Sequence, residues 1–514
     1  MSRSGFWTCL RSQSTAKRGT SRVKATSRRP WSVVTADGTG VVSHAGVALL
    51  RELAERTGLR AEYALAVDGV RSRGGGHDPG QVLVDLAVML ADGGEAIGDI
   101  AGLGQQPDLH GPVASPPTAW RVLAGVDERR LDGLRRARAA ARERAWLARA
   151  EVTGRVLPPS RAAGRDLDYV VVDIDATLVD VHSDKELASA NFKSGYGFHP
   201  ILAFCDNTNE ALAGILRTGR AGSNTAADHI ALLDLALAQL PDAARTGRIL
   251  VRTDGAGFSH AFVDHLVETG LEYSTGYAVT DDVRAALTLL PAWAWTAAVD
   301  ADGGHRDGAE VAEITDVLAE VQRLRAAERR RARAKQVALT GAKPPKATPR
   351  REWPTGMRVL VRRERPHPGA QLDVFEERDG YRYQAVATNT RVGQLAFLGA
   401  RHRAHARVED RIRQAKDAGL GRLPSRVFAI NQAWLELALT AADLLAWTQT
   451  TLLVDDPSLA RAEWKTIRYR LLHSAARITH GSRRVYLRLQ HDWPWTLALQ
   501  HAFTVLRRIP VPSR

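Results

Sequence analysis

Two short apolar runs that each end in an aspartate constrain the fold more than any other feature of the chain. The runs are YVVVDIDAT, residues 169–177, and ILVRTDGAG, residues 249–257. Continuous β-branched and apolar residues of this length are typical of strands that are buried on both faces of a sheet. Each strand then delivers a carboxylate, Asp175 or Asp254, to the sheet edge. The sequence therefore predicts an α/β fold with two acidic groups at the ends of its strands.

The chain around these runs has the pattern of three strands, a helix, a strand, a helix and a strand. The strands are predicted in DYVVVDIDATLVDV, FKSGYGFHPILAFCD, EALAGILRTG, RILVRTDGAG and LEYSTGYAV. The first helix, NTAADHIALLDLALAQL, opens with Asn224 and Thr225, and the second, SHAFVDHLVETGL, is capped by Ser259. With a last helix further along the chain, this order predicts a ribonuclease-H-like core.

That last helix is predicted in HRAHARVEDRIRQAK, residues 402–416. Its side chains at offsets of 0, 3, 7 and 14 share one helical face, and these are His402, His405, Glu409 and Lys416. Arg413 follows Glu409 by one turn. Asp175, Asp254 and Glu409 together can hold a pair of Mg²⁺ or Mn²⁺ ions, which is the apparatus for in-line attack on a phosphodiester.

Each of these residues also has a plainer interpretation. Asp173 lies two residues before Asp175 on the same face of the strand and could ligate a metal in its place. An aspartate at the end of a strand is often a helix cap or a turn former. A helix face that carries both carboxylates and cations is often only a solvated salt-bridge face. The metal-site hypothesis rests on the combination of two strand-borne aspartates with a matching acidic helix.

The charge of the chain favours a polyanionic partner. Its 514 residues carry a formal net charge of +14, which suits DNA ahead of a membrane surface or an acidic protein. The two cysteines, Cys9 and Cys205, offer neither a disulfide framework nor a zinc knuckle, which fits a reducing cytoplasm. The longest apolar stretch, Val427 to Val454, contains charged side chains, so we predict a buried helix there and no membrane span. We expect a soluble intracellular protein.

The first part of the chain divides into a basic arm and a helical region. Residues 1–30 carry Arg and Lys without any acid and predict a disordered arm. Residues 31–165 predict a helical DNA-binding region, in which a helix bearing Thr118, Trp120 and Arg121 is similar to part of a helix-turn-helix. A plain helical scaffold fits the same pattern equally. The Arg-rich residues 129–165 predict one exposed basic helix that contacts phosphates.

The second part of the chain begins with residues 166–290, the first part of the predicted core. Residues 291–392 are predicted as an insertion with a basic helix and linker, then short strands in MRVLVRRER, LDVFEER and YRYQAVATN. Its Trp293, Trp295 and Trp353 are interpreted as core residues or as stacking platforms for DNA bases. Residues 393–455 supply the C-terminal helices of the catalytic core. The basic residues 456–514 either close the core or touch DNA.

The motifs DIDAT, SGYGFHPILAF, RTDGAGF and VEDRIRQAK resemble those of DDE transposases of bacterial insertion sequences. The most similar group is the insertion-sequence thirteen-eighty family, within the clan that carries a tyrosine-arginine-glutamate-lysine signature. The resemblance covers about residues 33–455. It implies that Asp175, Asp254 and Glu409 are the catalytic and metal-binding triad and that Lys416 is the signature lysine. Where the clan has tyrosine and arginine, this chain has His402 and His405.

The same resemblance implies the partners and the chemistry. The expected activity is binding of terminal inverted repeats, followed by metal-dependent cleavage and strand transfer with two Mg²⁺ or Mn²⁺ ions. The side chains expected to contact DNA are Lys416, Arg413, His402, His405 and Arg121. The expected partners are double-stranded transposon ends, target DNA and a second copy of the chain, in the cytoplasm and nucleoid of a bacterium.

Two other functions fit parts of the pattern. A ribonuclease-H-like nuclease without transposition, such as a resolvase, shares the carboxylates, but the large insertion and the N-terminal helical region argue against it. A non-catalytic DNA-binding protein derived from a transposase needs none of the three acids, and their presence argues against that function. Metal-dependent cleavage separates the second alternative from an active enzyme.

Overall fold

The computed structural model describes residues 32–70, 76–222, 225–340, 352–366 and 368–512. The predicted basic arm of residues 1–30, Asn224 and most of the basic linker lie outside these ranges. The chain divides after Gly40, and every helix and strand that the structure describes belongs to the second unit, Val41–Arg514.

A mixed sheet of nine strands organises the second unit. Its strands are β1 (Val170–Ala176), β2 (Ile201–Cys205), β3 (Glu210–Ile215), β4 (Ile249–Thr253), β5 (Glu272–Tyr277), β6 (Thr296–Val299), β7 (His305–Glu313), β8 (Arg358–Glu364) and β9 (Arg382–Thr388). Their spatial order is β6-β7-β8-β9-β5-β4-β1-β2-β3. The pairs β1–β4 and β4–β5 are parallel, and every other neighbouring pair is antiparallel. The predicted α/β class is therefore confirmed.

The five predicted core strands are present in one block, in the order β3-β2-β1-β4-β5. The predicted helices Ala226–Ala238 and His260–Glu268 connect β3 to β4 and β4 to β5. In the register of β1 with β4, Arg252 lies opposite Asp173 and Thr253 opposite Ile174. The next residues of the two strands are Asp254 and Asp175, so both carboxylates leave the same edge of the sheet, as predicted.

The insertion continues this sheet beyond β5. Its last strand, β9, pairs antiparallel with β5, and β8, β7 and β6 follow in turn. The strands predicted in MRVLVRRER and YRYQAVATN are β8 and β9, whereas β6 and β7 were not predicted. The strand predicted in LDVFEER is wrong, because Val374–Asp379 is a helix whose N-terminus Asp373 and Glu376 close with a capping box.

Two of the three tryptophans of the insertion pack against other side chains. Arg363 lies 4.0 Å over the ring of Trp295, and the rings of Trp353 and His260 stack with centroids 3.6 Å apart. Trp293, in contrast, is 85% exposed. A stacking role therefore stays a prediction for Trp293.

Helices surround the sheet. Those before it are Val47–Arg56, Leu59–Ala66, Pro79–Asp92, Ile100–Gly104, Pro107–His110, Pro116–Ala124 and Glu128–Thr153. Those after β3 are Ala226–Ala238, Asp242–Arg245, His260–Glu268, Asp281–Thr288, Thr315–Thr340, Val374–Asp379, Leu395–Arg403, Arg407–Ala415, Phe428–Trp447, Pro457–Ala460, Trp464–Ile467 and Thr496–Arg508. Single turns of 3₁₀ helix cover Ile97–Asp99, Gly255–Gly257, Ala292–Ala294 and Ala404–Ala406, and π turns cover Lys416–Leu420, Thr448–Leu452 and Arg468–Leu472.

Short strands complete the secondary structure in three small sheets. These pair Val41–Val42 with Ala476–Gly481 and Arg484–Leu489, Ser160–Ala162 with Arg165–Leu167, and Val179–Asp180 with Tyr196–Phe198 and Ser189–Ala190.

The C-terminal residues 456–514 contribute to the core. The strand Ala476–Gly481 pairs with Val41–Val42 near the other end of the chain. The helix Thr496–Arg508 buries Leu499 and Leu506 in the same apolar cluster as Leu49 of the first helix. Of the two roles that the sequence left open for this segment, the structure shows that it closes the core.

The predicted buried helix in Val427–Val454 is confirmed as Phe428–Trp447, here called the buried helix. Both Trp434 and Trp447 are fully buried within it. In the part of the chain that the structure describes, no helix combines the length and the apolar composition that crossing a bilayer requires.

The helix Glu128–Thr153, here called the arginine helix, is not the exposed basic helix predicted from its composition. Arg138, Arg142 and Arg149 are each at most 1% exposed. Burying an unpaired charge is very costly, so such arginines require carboxylate partners in the core. These three side chains are therefore unavailable to DNA phosphates.

Three buried carboxylates supply those partners. Glu210 opens β3, and Glu436 and Asp443 belong to the buried helix. The ion pairs are Arg138–Glu436, Arg138–Asp443 (3.0 Å), Arg142–Glu210 (2.6 Å), Arg142–Asp443 (2.5 Å) and Arg149–Glu210 (3.3 Å). The six charges balance, and the network joins the N-terminal helices, the sheet and the buried helix into one core.

Replacing Arg142 with Met should lower the free energy of unfolding by about 3–5 kcal/mol, because Glu210 and Asp443 would keep buried charges without their shared partner. Chemical denaturation would measure the change. Arg136 lies exposed on the same helix, and Arg136→Met should alter stability by no more than about 0.5 kcal/mol. If both substitutions lowered the free energy of unfolding by the same small amount, the proposed contribution of the ion-pair network to stability would be contradicted.

Candidate active site

Two of the three predicted acids line one cavity at the edge of the sheet, and the third lies close to them. Asp254 and Glu409 line a cavity of about 570 Å³ whose walls come from the ends of β4 and β5, from β8 and β9, and from the helical segment 402–409. Asp175 ends β1 beside them, and its carboxylate is close enough to sense the charges of both. The geometry thus brings together the two strand-borne aspartates and the helix-borne glutamate.

Asp175 lies in the most perturbed environment of the three. Burial, together with the negative charges of Asp254 and Glu409, raises its pKa from the ordinary 3.8 to about 6. The backbone N–H of Ala176 donates to its Oδ1 at 2.7 Å, and the charge of His405 opposes the increase. A half-buried carboxylate of this kind gains from a cation that neutralises it.

Asp173, the alternative ligand, is already neutralised. The guanidinium of Arg252 binds it through two hydrogen bonds of 2.7 Å, and the Nδ1 atom of His405 lies 2.8 Å from its Oδ1. Both Asp173 and Arg252 are buried. The structure therefore distinguishes two aspartates on one strand face. Asp173 holds neighbouring elements together, whereas Asp175 forms no ion pair with Lys or Arg within the described part of the chain.

Asp254 both caps a turn and lines the cavity, and the sequence had left these two roles open as alternatives. Its Oδ1 accepts a hydrogen bond from the N–H of Ala256 at 2.9 Å and so caps the turn Gly255–Gly257. The side chain is nevertheless exposed at the cavity. This turn packs against Gly276 of β5, where an added Cβ would lie 2.5 Å from the backbone nitrogen of Gly255. A side chain at Gly276 would displace the turn that positions Asp254.

The helix predicted over residues 402–416 is divided. Leu395–Arg403 leads through the 3₁₀ turn Ala404–Ala406 into Arg407–Ala415, here called the site helix. Two interactions hold the division in place: Arg252 donates to the carbonyl of Arg401 at 2.9 Å, and Arg407 pairs with Asp206. The buried charges of Arg252 and Asp206 thus help to fix the position of the site helix, which carries Glu409.

The pKa values of the two histidines of this segment are shifted in opposite directions. Burial lowers the pKa of His402 to about 3, and its Nδ1 lies 3.0 Å from the hydroxyl of Ser274. Burial also disfavours the charged form of His405, but the hydrogen bond to Asp173 and the charge of Asp173 outweigh it and raise the pKa of His405. Near neutral pH, His402 is therefore uncharged, whereas the contact with Asp173 favours the protonated form of His405.

The remaining predicted DNA contacts lie outside the cavity lining. The Nζ of Lys416 donates to the carbonyl of Leu178 at 2.9 Å, three residues after Asp175. Arg413 pairs with Glu463 at 2.8 Å and with Asp410 at 3.1 Å, and these interactions raise its pKa. Arg121 is exposed on the helix Pro116–Ala124.

Two arginines of the cavity wall were not predicted as site residues. Arg362 of β8 pairs with Glu364 at 2.7 Å, and among the described residues its buried Nε has no hydrogen-bond partner. Burial and the charge of Arg403 lower the pKa of Arg362 to about 10, so both guanidinium groups remain charged at neutral pH. The signal for Arg403 was its position next to His402, whereas Arg362 lies in an inserted strand with no motif.

The donor set fits divalent metal. All three acids offer oxygen ligands, which Mg²⁺ prefers, and none of them forms an ion pair with Lys or Arg within the described part of the chain. Their oxygens are not all gathered within 4.8 Å of one another, as the ligands of a single ion would be. At least two of these carboxylates are therefore too far apart, in this arrangement, to bind the same ion.

Asp175→Asn should stabilise the metal-free protein at pH 7.5 by about 1–3 kcal/mol. The pKa of Asp175 is higher in the folded state, about 6, than its ordinary 3.8, so its ionisation opposes folding above pH 6. The difference should nearly vanish at pH 4, where the folded protein already holds the proton. Urea denaturation at both pH values would measure it, and a loss of stability at pH 7.5 would contradict the assignment.

Comparison with known proteins identifies a family whose profile the chain matches. The sequence profile of the family described as Transposase DDE domain group 1 matches residues 25–511. Among solved structures, a cryo-EM structure of a piggyBac transposase synaptic complex with hairpin DNA is similar over 83% of this chain and 77% of that chain, at 10% identity and a TM-score of 0.35. No curated protein matches the chain.

Proposed function

Because the chain belongs to the transposase family with a group 1 DDE domain, we propose that it binds the terminal inverted repeats of its own insertion sequence and catalyses metal-dependent DNA cleavage and strand transfer. The predicted DDE transposase is thereby confirmed at the level of the family. The bacterial insertion-sequence subgroup and its four-residue signature stay predictions. The observation that supports the proposal most is that Asp254 and Glu409 line one cavity and that Asp175 is close enough for their charges to raise its pKa.

The topology supports a ribonuclease-H-like assignment of the core. Three antiparallel strands, β1 to β3, are followed by β4 and β5, which lie parallel to β1 on its other side. The site helix then returns across the sheet with Glu409. This arrangement delivers acids from two adjacent strand ends and one helix to a common point, as metal-dependent phosphodiester chemistry requires.

Asp175, Asp254 and Glu409 would hold two Mg²⁺ or Mn²⁺ ions. The raised pKa of Asp175, which reflects burial and the charges of Asp254 and Glu409, supports the binding of cations by this group of acids. When bound, such ions activate the attacking oxygen of water or of a DNA 3′-hydroxyl and stabilise the leaving oxygen. No side chain of the cavity is needed as a nucleophile. The side chains of the protein would position the scissile phosphate, and bound cations would favour the ionised form of Asp175.

The cationic groups of the cavity would orient the DNA backbone. Where the related clan has tyrosine and arginine, this chain has His402, whose pKa is lowered to about 3, and His405, whose pKa is raised by Asp173. Arg403 and Arg362 add the permanent guanidinium charge that these histidines lack. Asp173 and Arg252 hold His405 from beneath and act as positioning residues.

The wider DNA contacts are proposed from exposed cations. Arg121 on its short helix and the exposed arginines of Thr315–Thr340 are free of the buried network that occupies the arginine helix. Lys416 and Arg413 lie outside the cavity lining and would contact flanking phosphates. Two transposon ends must be held together for strand transfer, so we propose a homodimer assembled on DNA in the bacterial cytoplasm.

The purified protein should nick DNA at the flanking inverted repeats of its own element only when Mg²⁺ or Mn²⁺ is present. Asp175→Ala and Glu409→Ala should abolish nicking and retain repeat binding, because neither side chain is a cation. Gel assays of cleavage and binding would measure both. Repeat binding without cleavage by the unmutated protein would indicate a non-catalytic derivative, and cleavage without repeat preference or strand transfer would indicate a nuclease.

Arg403→Gln should weaken repeat binding and reduce the slope of log K against log salt concentration by about 1, as expected for the loss of one phosphate contact. Fluorescence anisotropy across a salt series would measure both quantities. Arg391 is exposed and does not line the cavity, so Arg391→Gln is the matched control. Identical salt slopes for the two variants would contradict a phosphate contact at Arg403.

A further inference from the structure

A second cluster of possible metal ligands lies apart from the acidic site. The Nδ1 of His44 lies 2.6 Å from the Oδ2 of Asp92, and the Nε2 of His473 lies 3.0 Å from its Oδ1. The two imidazole rings stack with centroids 3.9 Å apart and an angle of 18° between their planes. None of the three residues lines the acidic cavity. Within the described ranges, this is the only group of three or more His, Cys, Asp or Glu side chains whose ligand atoms all lie within 4.8 Å of one another.

The composition of the cluster distinguishes it from the acidic site. Two imidazole nitrogens and one carboxylate oxygen match the preferences of Zn²⁺, whereas Mg²⁺ prefers oxygen alone. Ligand atoms around a tetrahedral Zn²⁺ ion lie about 3.3 Å apart, which follows from metal–ligand distances of about 2.0–2.1 Å. The two observed nitrogen–oxygen distances, 2.6 and 3.0 Å, are somewhat shorter than that, and all three ligand atoms lie within 4.8 Å of one another. Three protein ligands leave a fourth position open.

The surroundings provide space and unexplained polar groups. A cavity of about 420 Å³ is lined by His44, Asp92, His473 and Gln106 among others, which leaves room for a water ligand. The Oε1 atom of Gln106 is buried without a hydrogen-bond partner among the described residues. His110 is 1% exposed, and neither of its ring nitrogens has a partner within the same described part of the chain. Its titration responds to the charges of Asp92 and His44, so it lies close to the cluster.

Three separate elements hold the ligands in place. His44 follows the strand Val41–Val42 with a backbone φ of 52°, a left-handed conformation that residues other than glycine rarely adopt. Asp92 is the last residue of the helix Pro79–Asp92, and His473 follows the π turn Arg468–Leu472. The strand after His473 pairs with the strand before His44. The backbone thus fixes two of the ligands independently of any ion.

We propose that His44, Asp92 and His473 bind one Zn²⁺ ion, with water as the fourth ligand, and that this ion fastens the C-terminal segment to the N-terminal helices. The site does not depend on the proposed transposition chemistry. Residues 44 and 473 lie near opposite ends of the chain, so an ion that joins them would close a very long loop. Its role is structural, and its measurable effects are metal content and stability.

The test uses the full chain without a histidine tag, stripped with a chelator and kept in excess Mg²⁺ so that the acidic site is occupied. Titration with Co²⁺ as a visible probe should give the absorption bands of a tetrahedral site at one equivalent per chain, and Zn²⁺ should displace it. Zn²⁺ should raise the thermal midpoint of the stripped protein. Failure of DNA cleavage would leave these readouts unchanged, so the two proposals fail separately.

Asp92→Asn, His44→Asn and His473→Asn, made singly, should each weaken Zn²⁺ binding by at least about tenfold and remove the thermal shift. His491→Asn is the matched control, because His491 is an exposed histidine of the same C-terminal segment. Circular dichroism would establish that each variant is folded. Absence of Zn²⁺ binding to the stripped wild-type protein, or unchanged binding by the folded variants, would overturn the proposal and leave a hydrogen-bonded His-Asp-His contact.

Discussion

The buried ion pairs between the arginine helix and three carboxylates are the interactions on which the arrangement of the other elements depends. They connect Arg138, Arg142 and Arg149 to the edge strand of the sheet and to the buried helix. Each charge has a specific partner, and a core offers no water to replace it. Any packing that separated these elements would leave several charges uncompensated, so the network specifies one relative position for them. Asp173 and Arg252 repeat the same principle on a smaller scale beneath the acidic site.

The parts of the fold that could be predicted from the sequence are those that local patterns encode. Apolar runs predicted β1 and β4, and the direction of parallel strands placed Asp175 and Asp254 at one edge. The arginine helix could not be interpreted in this way, because its carboxylate partners lie 61 residues (Arg149 to Glu210) to 305 residues (Arg138 to Asp443) away along the chain. The segment LDVFEER shows a different failure: alternating apolar residues suggested a strand, but the capping box of Asp373 and Glu376 stabilises a helix there.

For the candidate site, the sequence pointed to the three acids and to His402 and His405, but it did not distinguish the roles of neighbouring residues. Asp173 and Asp175 look equivalent in sequence, and only the register that places Arg252 opposite Asp173 distinguishes them. A carboxylate that already has an arginine partner is structural, and one that faces other carboxylates is available for metal. Arg362 could not be assigned from sequence, because it reaches the cavity from a strand within the insertion that carries no recognisable motif.

The extension of the sheet by the insertion determines how the cavity can change shape. The strands β8 and β9 form one wall, and they are joined to β5 and β4 by an unbroken ladder of backbone hydrogen bonds. A wall built in this way cannot swing open as a lid does, since that motion would break the ladder along its whole length. A change in the width of the cavity would therefore have to come from its helical segment, residues 402–409, which is not part of the ladder. A ligand that enters the cavity meets a rigid surface on the side of the strands and must adapt its own shape to it.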